Sequence, residues 1–277
     1  MMRGMFAAIS GLKNHQVMLD VTANDIANVN TIGYKSARTT FKDSLTQLQR
    51  GASGATGANG GTNAAQVGLG VGLGSIDNLM AGGALQTTGN SLDVAIQGEG
   101  FFRVAQTTAP AVPPVASMQY TRAGNFTTNE QGYLLTQEGY YVVGKDGAGG
   151  ADQLIQIQPG GTNVAVAADG SVSYIPGAGG ARVTAGYLSL ATFQNPAGLE
   201  RASGNRWLAS ANSGTEQADV AGQGGRGQTT AGAIEMSNVD LAQTFTNMIT
   251  AQRGFQANSR VISTSDEMLQ DLVNLKR

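Results

Sequence analysis

The chain has 277 residues, enough for one or two domains with a sizeable core. Charged residues make up 13%, aromatics 6%, and glycine holds 40 positions, which points to a thin core and many turns. A net charge of −2 and a pI near 5.4 argue against a nucleic-acid-binding or membrane-surface protein, and the absence of cysteine excludes disulfides and thiolate chemistry.

The opening MMRGMFAAISGLK has an apolar patch that resembles a signal peptide, but Gly4, Ser10, Gly11 and Lys13 interrupt it and no small-residue cleavage site follows. No run reaches the ~18 apolar residues needed to span a bilayer. Residues 3–28 read as a helix. Met5, Leu12, Leu19 and Ile26 recur every seven positions, and Met2, Ile9, Gln16 and Ala23 form a companion row. The segment ANDIANVNTIGYK then places Asn24, Asn28 and Asn30 ahead of Gly33. Asparagine competes for nearby backbone groups and accepts left-handed turns, and Gly33 permits a positive φ, so the helix is expected to end here and the chain to turn away.

Residues 36–75 read as a glycine-rich connector, ending in GASGATGANGGTNAAQVGLGVGLGS. Residues 76–235 read as a β-rich domain. LDVAIQG alternates Leu92, Val94 and Ile96 on one face, and GFFRV, the run from Gln119 to Gly147 and ARVTAGYLSLATF are short aromatic or β-branched stretches cut by Gly and Asn. Within it, residues 145–215 are expected to form a looser outer lobe. The final segment begins at SNVD, with Ser237 expected as helix cap and Asp240 answering it. Leu241, Met248, Phe255, Ile262 and Leu269 then keep a spacing of seven, with Phe245, Gln252, Ser259, Asp266 and Val273 as a second row. From Asn238 to Lys276 only Gly254 interrupts, so one long helix is expected, with a break allowed at Ser263–Ser265 and Lys276 and Arg277 suited to its C-terminal dipole.

The fold class is therefore α+β. Terminal helices, from 1–35 and 236–277, are expected to pair as a coiled coil beside a central antiparallel, mainly-β domain. Further apolar residues off the seams, such as Phe6, Val17, Ile249 and Val261, leave surface that a helix pair cannot cover alone, which predicts self-association. A head-to-tail contact that does not close generates a helical filament.

No catalytic constellation emerges. His15, the single histidine, lies inside the first helix with nothing near it in sequence to suggest a nucleophile triad, and with no cysteine a zinc site would need mostly carboxylates. GEGFF at 98–102 lacks the third glycine of a dinucleotide fingerprint and runs into strand-like residues. No catalytic, metal or cofactor-binding residue is assigned, and no enzyme is expected.

The segment ANDIANVNTIGYK resembles the N-terminal signature of the bacterial flagellar axial proteins, the rod, hook and hook-associated families. The matching residues are Asn24, Ile26, Ala27, Asn28, Asn30, Thr31, Gly33, Tyr34 and Lys35. The stretch from Glu235 to Leu275 resembles the family's C-terminal signature, and LDVAIQGEGFFRV the start of its β domain. TFKDSLTQLQ, GGTNAAQVGLG and TSDEMLQDLVNLKR look most like the short hook subunits, with the distal rod subunit as the alternative.

The resemblance implies a structural subunit of a helical tube outside the cell, the hook that transmits torque from rod to filament. It implies export by the flagellar apparatus without a cleavable signal peptide, and terminal segments that become helical on assembly. It further implies contacts with distal rod, hook cap and hook–filament junction proteins, and neither nucleic-acid binding nor membrane insertion. Subunit contacts are then expected at Met5, Ile9, Leu12, Leu19, Asn24, Ile26, Asn28, Asn30 and Gly33, and at Leu241, Phe245, Met248, Phe255, Ile262 and Leu269.

Overall fold

The computed structural model describes residues 2–55, 60–107, 109–177 and 180–275, with the side chain of Met2 left aside. The chain divides into two compact units. One contains residues 1–27, 37–78 and 240–277; the other contains 28–36 and 79–239.

In the first unit, helix α1 spans Met2–Ala27 and helix α2 spans Leu241–Asn274. Strands β1 (Ala37–Asp43) and β4 (Val71–Asn78) pair antiparallel, as do β2 (Thr46–Arg50) and β3 (Ala65–Gly68). The 36–75 stretch, expected as a connector, thus carries most of four strands. The glycines there alternate with Val67, Leu69, Val71 and Leu73, which is the period of a strand, and the bare edge they leave is used. A Cβ on Gly70 would stand 2.4 Å from Ser10 Oγ of α1. Around it Asn14 Nδ2 donates to Val71 O at 2.8 Å and Val71 N donates to Ser10 Oγ at 3.2 Å.

Helix α2 starts later than expected. Asp240 is itself the cap, its carboxylate accepting from the Ala242 and Gln243 amides at 2.9 and 3.2 Å. Ser237 instead accepts from the Val239 amide, so the cap sits three residues later than expected. The helix continues through Ser263–Ser265, whose hydroxyls donate back to Arg260 O and Val261 O and so are satisfied without a break. Lys276 and Arg277 lie outside the described residues.

The second unit is an antiparallel sheet assembly. Its main sheet runs, in spatial order, Thr162–Val166, Ser171–Ile175, Val183–Thr192, Tyr141–Lys145, Phe101–Ala105, Gln119–Thr121, Arg206–Leu208 and Glu200–Ala202. Phe101–Ala105 is buried throughout because both of its faces are covered. Phe102 and Val104 point into one core with Val94, Ile96, Phe126, Val142, Leu188 and Leu190. Phe101 and Ala105 point into the other with Met118, Tyr120, Val143, Phe193 and Trp207. That is why Phe101, Phe102, Val104 and Ala105 are all apolar, with Arg103 the one charged residue among them. Residues 145–215, expected as a loose lobe, supply Val172, Leu188, Leu190, Phe193 and Trp207 to these cores. Gly149, Gly160 and Gly204 lie in turns, and the strands between them are packed. Two outlying pairs, Val94–Gln97 with Gln228–Ala231 and Leu85–Thr87 with Ala233–Glu235, complete the unit.

Candidate assembly interface

In the helical unit, α1 and α2 lie antiparallel, Gly11 opposite Asn258 and His15 opposite Gly254. A Cβ at Gly11 would meet Asn258 Nδ2 at 2.6 Å, and one at Gly254 would meet His15 Nε2 at 2.5 Å. Approach this close needs small residues, and the buried line on α2 is Thr244, Ala251 and Ser265, with Asn258 half-buried between them. On α1 the buried residues are Ala8, Gly11, Asn14, Thr22 and Asp25. The stripe on α2 also repeats every seven residues, one position ahead of the second apolar row.

The large apolar rows therefore do not fill the joint between the helices. Met5, Leu12, Leu19, Ile26, Met248, Ile262 and Leu269 are half-buried, and Ile9, Leu241, Phe245 and Phe255 are exposed. Phe6, Ile249, Val261, Met268, Leu272 and Val273 add to the uncovered surface, Phe6 at 60% and Val273 at 67% exposure. Fully covering a side chain of this size is worth about 1.5–3 kcal/mol, so the bare face is a strong drive to association. The small stripe keeps a period of seven in the sequence, beside the rows of larger residues.

The remaining expected contact residues fall in the second unit or at its border. Asn24 and Asn30 are exposed and Asn28 is half-buried. Asn28 forms the turn: its carbonyl accepts from Thr31 N at 3.1 Å and its Oδ1 from Thr31 Oγ1 at 3.0 Å. Gly33, with φ +66°, is buried and donates its N–H to Glu235 O at 2.8 Å. A Cβ there would stand 2.7 Å from Ala123 N.

Beyond Gly33 lies a cluster that sequence reasoning missed. Lys35 is fully buried, and its ammonium donates to Glu235 Oε1 at 2.6 Å and to Ala81 O at 2.8 Å. Glu235 also accepts from Gly83 N at 2.9 Å and from Arg122 Nη1 at 3.1 Å. Arg122 donates its other terminal nitrogen to Gly98 O at 2.8 Å. Burial by itself would raise the Glu235 carboxyl, but Arg122 and Lys35 outweigh it and hold the group below its ordinary value. Burial lowers the Lys35 ammonium despite the attraction of Glu235. Alongside, the Arg201 guanidinium lies between the rings of Tyr34 and Trp207, 4.7 and 5.2 Å from their centroids, and donates to Lys35 O. Asn205 donates to Ile32 O. Two hundred residues separate Lys35 from its partner, and no local pattern carries that pairing.

A second buried network sits under the sheet. Arg103 donates to both Asp152 oxygens at 2.7 and 2.8 Å and to Glu216 at 3.0 Å, while Tyr120 donates to Glu216 at 2.5 Å. Burial and the neighbouring carboxylate push the Tyr120 phenol up. Each carboxylate oxygen receives a donor, which suits a structural tie. Among the described residues no group of acidic and histidine side chains could hold a metal, and no helix is long and apolar enough to cross a membrane.

Three family descriptions match the chain: a flagella basal body rod protein model over residues 5–35, a flagellar hook protein FlgE/F/G D1 domain over 95–174, and the flagellar basal body rod FlgEFG protein C-terminal region over 230–275. The chain is 45% identical to the flagellar basal-body rod protein FlgG of Bacillus subtilis and 36% identical to that of Caulobacter vibrioides. Each alignment covers at least 99% of both chains. It is 28% identical to the flagellar hook protein FlgE of Borreliella burgdorferi, in an alignment that stretches over 449 positions. The relatives are named as rod and hook proteins, not as enzymes. The resemblance expected from the two terminal signatures thus extends along the whole length, and the chain belongs to the flagellar rod and hook axial family.

Proposed function

We infer that the chain is a subunit of the distal rod of the flagellar basal body, not the hook subunit suggested by TFKDSLTQLQ, GGTNAAQVGLG and TSDEMLQDLVNLKR. The observation that carries this reading is length. The rod relatives align end to end with 277 or 278 aligned positions, whereas the hook relative requires 449. The hook relative of Borreliella burgdorferi carries added residues for which this chain has no counterpart, whereas the rod relatives carry almost none.

The subunit polymerises through the large apolar rows of α1 and α2, which the two-helix joint leaves uncovered. Met5, Ile9, Leu12, Leu19 and Ile26 on one helix, and Leu241, Phe245, Met248, Phe255, Ile262 and Leu269 on the other, pack against equivalent helices of other copies. Coiled-coil contacts are on this reading made between subunits. The chain leaves the cell through the flagellar export apparatus and meets other rod subunits on one side and hook subunits on the other. Deleting the gene tests the assignment. Basal bodies isolated from the deletion strain should end in a shortened rod; a complete rod that lacks only the hook would restore the hook reading.

A further inference from the structure

Three passages of the β-rich unit meet at one place: Asn28–Ser36, the turn at residues 79–83, and residues 233–239. Asn238 ties them together. Its Oδ1 accepts from Ser36 N at 2.8 Å, and its Nδ2 donates to Leu79 O at 2.8 Å and Ala81 O at 3.1 Å. Leu79 N donates to Ser36 O at 2.8 Å. The Lys35–Glu235 pair joins the same three passages with charge, through Ala81 O and Gly83 N. Lys35 and Glu235 are exposed by 0% and 1%. Charges so enclosed have no half-docked state of low energy: either the passages are seated and the pair is made, or the charges are in water. Every partner in this clamp belongs to the β-rich unit.

We propose that the clamp keeps residues 28–36 and 233–239 folded on the β-rich unit when the terminal helices are unfolded, so that order in a free subunit extends to Asn28 and Val239. The clamp needs neither a helix nor a second copy, and it holds whichever axial structure the subunit builds.

Hydrogen exchange on the full chain tests this. Ala251→Pro with Ala257→Pro interrupts α2 at two interior positions, where proline removes a helical hydrogen bond and clashes with the preceding turn. In the unassembled variant the amides of α1 and α2 should exchange without protection. The Gly33 and Ser36 amides should keep the protection they have in the unaltered chain, alongside that of Val104 in the sheet. Loss of Gly33 and Ser36 protection together with the helices would overturn the proposal. In the same chain, adding Asn238→Ala should accelerate Ser36 exchange at least tenfold while Val104 is unchanged. No acceleration there would remove Asn238 from the clamp and overturn the assignment.

Discussion

Replacing Glu235 by glutamine tests the energetics of the buried cluster directly. The carboxylate is 1% exposed and receives Lys35, Gly83 N and Arg122 within 3.1 Å. Glutamine keeps the shape and one acceptor oxygen, but it leaves two buried cations with no counter-charge. Removing one partner of a buried ion pair costs about 3–5 kcal/mol. In a folded unit of this size, each kcal/mol corresponds to about 2–4 °C in Tm, so the shift should fall between about 6 and 20 °C. Trp207, the single tryptophan, is 1% exposed and its environment reports the unfolding of the same unit. Thermal melts followed by its fluorescence give the number. Destabilisation should ease as pH rises, because the orphaned Lys35 ammonium, already lowered by burial, can lose its proton. A Tm within 2 °C of the unaltered chain at neutral pH would refute the idea that charge pairing, beyond shape, holds this junction.

Other consequences are open to measurement. The folded Glu235 carboxyl lies below its ordinary value of 4.5, so its stabilisation is fully present above that pH and is lost as pH falls through the folded value; an acid titration should show Glu235→Gln losing less stability below pH 4.5 than the unaltered chain. Gly33→Ala forces a side chain into a φ of +66° and a Cβ against Ala123 N at 2.7 Å, which should cost about 2 kcal/mol or more in chemical denaturation while helical content stays the same. Phe255→Ser removes about 2 kcal/mol of apolar burial from a subunit contact, so the concentration needed for polymer formation, read by sedimentation, should rise about thirtyfold with an unchanged melt of the β-rich unit. Ala251→Leu overfills the joint between α1 and α2, where Ala251 is fully buried, and should lower helical stability by about 1–3 kcal/mol in a circular-dichroism melt of assembled subunits.

The periodicities in the sequence by themselves determined the two long helices, the β-rich middle and the apolar surplus that calls for further copies, because each is a local pattern of residue type. Strand alternation was equally readable in Leu92, Val94 and Ile96, which face one core as their spacing requires. The glycine row at 68–74 has the low side-chain volume of a connector, and that same low volume is what admits Ser10 against the strand. Which face of α2 meets α1 was decided only in three dimensions: close approach selects Ala251 and Gly254 over Phe255, a choice that depends on the distance between axes and not on hydrophobicity. The joining of Lys35 to Glu235 belongs wholly to tertiary structure, since the chain must close two hundred residues before a carboxylate can stand beside that ammonium.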